Sequence, residues 1–186
     1  MNKLLTMISA VALLTAIAGS AYAQKTVFVT SAQFNGNLGG LTGADDKCQA
    51  EANGPASIVP SGTYLAWLSD GTDSPDTRFT KSSHPYVLPD GTKIAEDYTD
   101  LTDGQILHPI NIDSTGKALG LRKFWTGTNA DGTSSDHLVT CDGWTADPLI
   151  NFHGRAGVTN LKSTLWSTRR ARISCARINP LICFQQ

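Results

Sequence analysis

Four cysteines, Cys48, Cys141, Cys175 and Cys183, constrain this chain more than any other residues it carries. They follow a stretch that reads as a cleavable export signal. Lys3 supplies a short positive region, residues 4–18 form an almost unbroken apolar run, and Ala21-Tyr22-Ala23 is a small-x-small cleavage site. The expected organisation is a signal peptide over residues 1–23 and one domain over residues 24–186. Four cysteines beyond such a signal imply an oxidising address, periplasmic, secreted or at the cell surface, and two disulfides. Their residue types and positions leave all three pairings open. The apolar run is too short to favour a membrane span, and no second run of spanning length follows it.

Glycine, threonine, serine, asparagine and aspartate are abundant and only 17% of residues are charged, which suits an exported domain rich in turns. Trp67, Trp125, Trp144 and Trp166 are spread along the chain and offer a large burial at each position, so a packed core is expected rather than disorder. The net charge of -1 conceals an uneven distribution. All acids fall between Asp45 and Asp147, whereas Arg155, Lys162, Arg169, Arg170, Arg172 and Arg177 follow with no acid among them.

Local patterns predict a mixed α+β architecture. Residues 25–31 are β-branched and aromatic and read as an opening strand anchored by Phe28. After a glycine turn, Leu41, Ala44, Cys48 and Ala52 fall at helical spacing, which predicts a helix over 42–53 with Asp45 and Asp46 in its first turn. Residues 64–68 read as a buried strand. Ile94, Tyr98 and Leu101 form a brief helical stripe that Gly104 can cap. Short strands are expected at 124–127 and 138–141. Ala171, Ile173 and Cys175 alternate with Arg170, Arg172 and Ser174, predicting a strand with its arginines outward, and residues 181–184 read as a final apolar strand.

Several of these runs resemble a known family. Gly40-Leu41-Thr42-Gly43-Ala44-Asp45-Asp46-Lys47-Cys48-Gln49, followed by Gly62-Thr63-Tyr64-Leu65-Ala66-Trp67-Leu68-Ser69, is similar to the first helix and next strand of endostatin, the C-terminal domain of collagen XVIII. Phe124-Trp125-Thr126-Gly127 leading to Cys141-Asp142-Gly143-Trp144 resembles that domain's tryptophan-glycine and cysteine-tryptophan segment. Ser174-Cys175 and Leu181-Ile182-Cys183-Phe184 are similar to its closing strands. The likeness spans nearly the whole of residues 24–186 and is closer still to bacterial exported domains of the same class whose function is not established. It implies a compact C-type-lectin-like fold, with two short helices around mainly antiparallel sheets, chain ends brought together, and disulfides Cys48–Cys183 and Cys141–Cys175. The N-terminal histidines that hold zinc in endostatin have no counterpart in Gln24-Lys25-Thr26-Val27, and the calcium-lectin Glu-Pro-Asn, Gln-Pro-Asp and Trp-Asn-Asp motifs are missing from the sequence.

Reactive chemistry is sparse. His84, His108, His137 and His153 never take a metal-ligand spacing, there is no Cys-x-x-Cys pair, and no Gly-x-Ser-x-Gly elbow occurs. No catalytic residue, metal or cofactor is therefore assigned. Asp70, Asp73 and Asp76 either supply oxygen ligands to a calcium ion or form an ordinary solvated turn. The basic tail carries the expected ligand site. Arg169, Arg170, Arg172 and Arg177, with Trp166 upstream, either bind a sulfated or carboxylated polysaccharide through bidentate guanidinium contacts or pair with the acids of the preceding half. Nucleic acid would use the same contacts, but a net acidic exported chain argues against it. The expectation is an exported, non-enzymatic binding module for anionic glycan, matrix or envelope components. The alternatives are an envelope domain that binds another protein and, behind it, a hydrolase.

Overall fold

The computed structural model describes residues 24–147 and 151–186, and all but the side chain of Arg170 within the last strands. The expected signal peptide lies outside them. Among the described residues, eight strands and three short helices form a mixed α+β domain. The strands are β1 (Lys25–Val29), β2 (Tyr64–Ala66), β3 (Tyr86–Val87), β4 (Lys93–Ala95), β5 (Lys123–Trp125), β6 (His153–Val158), β7 (Arg169–Ser174) and β8 (Ile182–Gln185). The helices are α1 (Gly40–Ala52), α2 (Pro75–Arg78) and α3 (Tyr98–Leu101).

One sheet runs β2-β8-β1-β3-β4 and the other β5-β6-β7. Every pairing is antiparallel except β1 with β3. The central pair joins the first and last strands, with Val27 opposite Phe184 and Val29 opposite Ile182. Both faces of this sheet are covered, so its strands are apolar at consecutive positions instead of alternating with polar residues. Alternation divides them between two clusters. Val27, Val29, Trp67, Ile182 and Phe184 enter one, while Phe28, Ala66, Leu68 and Cys183 enter the other. Trp67 centres the first, its ring 5.0 Å from Trp166 and 5.2 Å from Phe184. In the second, α1 lays Ala44 and Cys48 against the sheet and Trp125 stacks obliquely 5.7 Å from Trp144.

The disulfides join Cys48 to Cys183 and Cys141 to Cys175. The first ties α1 to the last strand across 135 residues, and the second ties the end of β7 to a tight turn across 34. Closing the longer loop stabilises the fold by about 5 kcal/mol in the chain-entropy account.

Several local expectations need correction. α1 begins at Gly40, so Asp45 and Asp46 are past its first turn. Asp45 instead accepts from the Ala66 amide at 2.9 Å and from the Arg78 guanidinium, tying α1 to β2 and α2. Burial pushes its carboxyl above the usual range, outweighing those two partners. Residues 138–141 are not a strand. His137–Val139 is a 3₁₀ turn, and Cys141, Asp142, Gly143 and Trp144 follow with φ of 49°, 54°, 61° and 65°. This left-handed turn costs each non-glycine residue about 1–2 kcal/mol. It is held by the Cys141–Cys175 bond, by Trp144 Nε1 donating to the Ser69 carbonyl at 2.7 Å, and by the Leu38 amide donating to the Trp144 carbonyl at 2.8 Å.

Candidate functional site

The three-stranded sheet gathers the basic residues. Lys123 on β5, Arg155 on β6 and Arg169, Arg170 and Arg172 on β7 lie on strands that contain no acid. The register places Arg155 directly opposite Arg172. Cross-strand partners project from the same face, and like charges in that position repel. A register shift follows at once, and Ala156 is opposed by Arg169. Such a bulge breaks strict alternation. It accounts for Ala171, expected inward, being exposed, while Cys175 beyond the strand is buried.

Two adjoining clefts open beside this sheet. The larger, about 760 Å³, has Arg155 and Arg169 on its lining together with Asp103 and Asp131. The smaller, about 380 Å³, is lined by Leu121, Arg122, Lys123, Val158, Leu161, Leu165 and Arg169. Leu165 and Arg169 belong to both. Hydroxyl bonds fix the shared wall, the 3₁₀ turn Thr164–Trp166 and the residues after it. Thr126 Oγ1 donates to the Ser167 carbonyl at 2.9 Å, Ser167 Oγ donates to the Thr128 carbonyl at 2.9 Å, and Trp67 Nε1 donates to Ser167 Oγ at 2.7 Å. Ser167 Oγ both accepts from Trp67 and donates to the Thr128 carbonyl, so the core tryptophan and the cleft wall are mechanically joined.

Of the expected polyanion residues, Arg169, Arg172 and Arg177 are exposed. Arg170 occupies β7, but its side chain lies outside the described part of the structure. Trp166 corrects the expectation. It is 1% exposed and packed on Trp67, so its ring belongs to the core and offers no face to a ligand at the surface. Trp67, Trp125 and Trp144 are fully buried as well, so no tryptophan offers a face on which a sugar ring could stack. Among the described residues, the ion pairs Arg78–Asp45, Lys81–Asp76, Lys93–Glu96 and His137–Asp136 involve none of Lys123, Arg155, Arg169 and Arg172.

Arg155, Arg122 and Lys123 lie on the cleft linings without having been among the expected ligand residues. The only advance signal was the acid-free run that starts at Arg155, because β5 is far from β7 along the chain. Asp70, Asp73 and Asp76 do not converge. Asp70 accepts from the amides of Thr72 and Asp73 at 2.9 and 2.8 Å, Thr77 donates to Asp73 at 3.4 Å, and Asp76 pairs with Lys81 at 2.6 Å. These are the bonds of a solvated turn. Among the described residues no three His, Cys, Asp or Glu side chains gather as metal ligands, and no helix is long and apolar enough to cross a membrane.

The fold and its clefts define a disulfide-stapled α+β domain with an arginine-rich sheet at one side. Residues 31–162 match the family described as a protein of unknown function (DUF1554), and the chain belongs to that family. The matched span takes in β5 and β6 and stops before β7 and β8. No curated protein matches the chain.

Proposed function

We propose that this protein is an exported, non-enzymatic binding module of C-type-lectin-like, endostatin-like fold that takes an anionic glycan of the extracellular matrix or cell envelope. The fold reading is supported by the pairing of the first strand with the last and by the nested disulfides. Two disulfides also suit an oxidising compartment.

The ligand class rests on one observation above the others, the opposition of Arg155 and Arg172 across an acid-free sheet. That arrangement is unfavourable when empty and is relieved when a sulfate or carboxylate lies between the guanidinium groups. Arg169 extends the basic track along β7. With every tryptophan buried, recognition falls to ionic and hydrogen-bonding groups rather than to ring stacking. Asp103 and Asp131 share the lining of the larger cleft with Arg155 and Arg169 and lower the positive potential at that end of the track.

Heparin chromatography of the oxidised protein tests this reading. Retention should fall steeply with salt, and the double substitution Arg155→Gln/Arg172→Gln should weaken binding about tenfold, the loss of one or two charge-assisted contacts. Asp103→Asn/Asp131→Asn should lengthen retention. Elution at low salt, unchanged in the arginine double variant, would sink the polyanion reading.

A further inference from the structure

The smaller cleft combines two properties that a polyanion does not need. Leu121 is 72% exposed and Leu165 is 41% exposed, and both line the same groove together with Val158 and Leu161. Its other lining side chains are Arg122, Lys123 and Arg169, with no acid among them. A groove lined by four apolar side chains and three cations is complementary to a molecule that carries an alkyl chain and a negative head.

The groove is also built rather than incidental. Lys123 pairs with Val158 across β5 and β6, and the Arg122 amide donates to Thr159 Oγ1 at 3.0 Å while the Thr159 amide donates to the Arg122 carbonyl at 3.0 Å. Those bonds hold two of the cations beside the apolar floor. On the opposite wall, burial of Trp166 in the core leaves its neighbour Leu165 facing out, and Arg169 follows at the start of β7.

We propose that this groove is a binding site for a single-chain amphiphilic anion, such as a medium-chain carboxylate or alkyl phosphate, taken as a free molecule. A volume of about 380 Å³ admits one chain, not a patch of bilayer. The leucines and Val158 cover the chain, and Arg122, Lys123 and Arg169 hold the head. This goes beyond the polyanion reading, whose contacts are Arg155, Arg172 and Arg169, and shares only Arg169 with them, so either can fail alone.

Titration calorimetry with sodium decanoate below its aggregation threshold is the test, with decanol lacking the charge and butyrate lacking most of the chain. Decanoate should bind one to one, each methylene between butyrate and decanoate should tighten binding about fourfold, and decanol should bind at least tenfold more weakly than decanoate. Leu121→Ser/Leu165→Ser should weaken decanoate about tenfold while heparin retention stays unchanged. Both leucines are exposed, so the variant should remain folded. Arg122→Gln/Lys123→Gln should erase the preference for decanoate over decanol. Affinity that ignores chain length, or that survives the leucine substitutions, would overturn the site. So would binding to phosphatidylglycerol vesicles without binding of free decanoate, which would assign the surface to a membrane instead.

Discussion

The two sheets of this protein are built on opposite terms. The five-stranded sheet is covered on both faces, carries lysines only at the strand-end positions Lys25 and Lys93, and has its last strand stapled to α1 by Cys48–Cys183. The three-stranded sheet buries Phe124, Trp125 and Ala156 but sets arginines opposite one another on strands without acids. Folding energy is concentrated where polar groups are few. The second sheet can hold an unfavourable charge arrangement because its inner face shares the tryptophan clusters of the first. Like charges set opposite one another on a well-anchored element suit a binding surface and are a poor way to stabilise a fold.

Breaking each staple in turn tests this division most severely. Cys48→Ala/Cys183→Ala opens the loop of 135 residues and should cost about 5 kcal/mol, whereas Cys141→Ala/Cys175→Ala, across 34 residues, should cost about 4 kcal/mol. Denaturation midpoints with their slopes check the order. The second variant should also lower heparin retention, since Cys175 follows directly on β7. A larger cost for the second pair would place the stabilising half of the molecule on the wrong sheet.

A smaller effect comes from the left-handed turn that anchors the second disulfide. Asp142 is exposed and sits at φ 54°, so Asp142→Gly should stabilise the protein by about 1 kcal/mol. A rise in melting temperature measures it. A fall would show that the turn is supported through the Asp142 side chain.

The smallest shift sharpens the contrast between stability and recognition. Arg172→Thr removes one member of the opposed pair and should stabilise the empty protein by about 0.5 kcal/mol while weakening its hold on heparin. Thermal melts with and without heparin report both signs. If Arg172→Thr destabilises the free protein, the two guanidinium groups are not in conflict.

Much of the fold was legible because it depends on local pattern. The continuous apolar run at Val27, Phe28 and Val29 and the helical spacing of Leu41, Ala44 and Cys48 mark a buried strand and a helix, and both form. The turn at residues 141–144 was not legible. Apolar Leu138 and Val139 before Thr140 and Cys141 suggest a strand, but Asp142-Gly143 permits a left-handed path, and contacts from distant Ser69 and Leu38 select it. Trp166 was ambiguous for a similar reason, since its burial depends on Trp67, which is remote in sequence.

What the chain determines by itself is its inventory: four cysteines, four core-sized tryptophans, an acid-free basic end and the periods of its main strand and helix. These follow from composition and near-neighbour spacing, which need no knowledge of distant partners. Only the tertiary structure decides that Arg155 faces Arg172, that Arg122 and Lys123 join Arg169 around Leu121 and Leu165, and that all four tryptophans are withdrawn from solvent. Strand register and sheet order bring those residues together, and both are set by long-range pairing and a bulge rather than by any local preference.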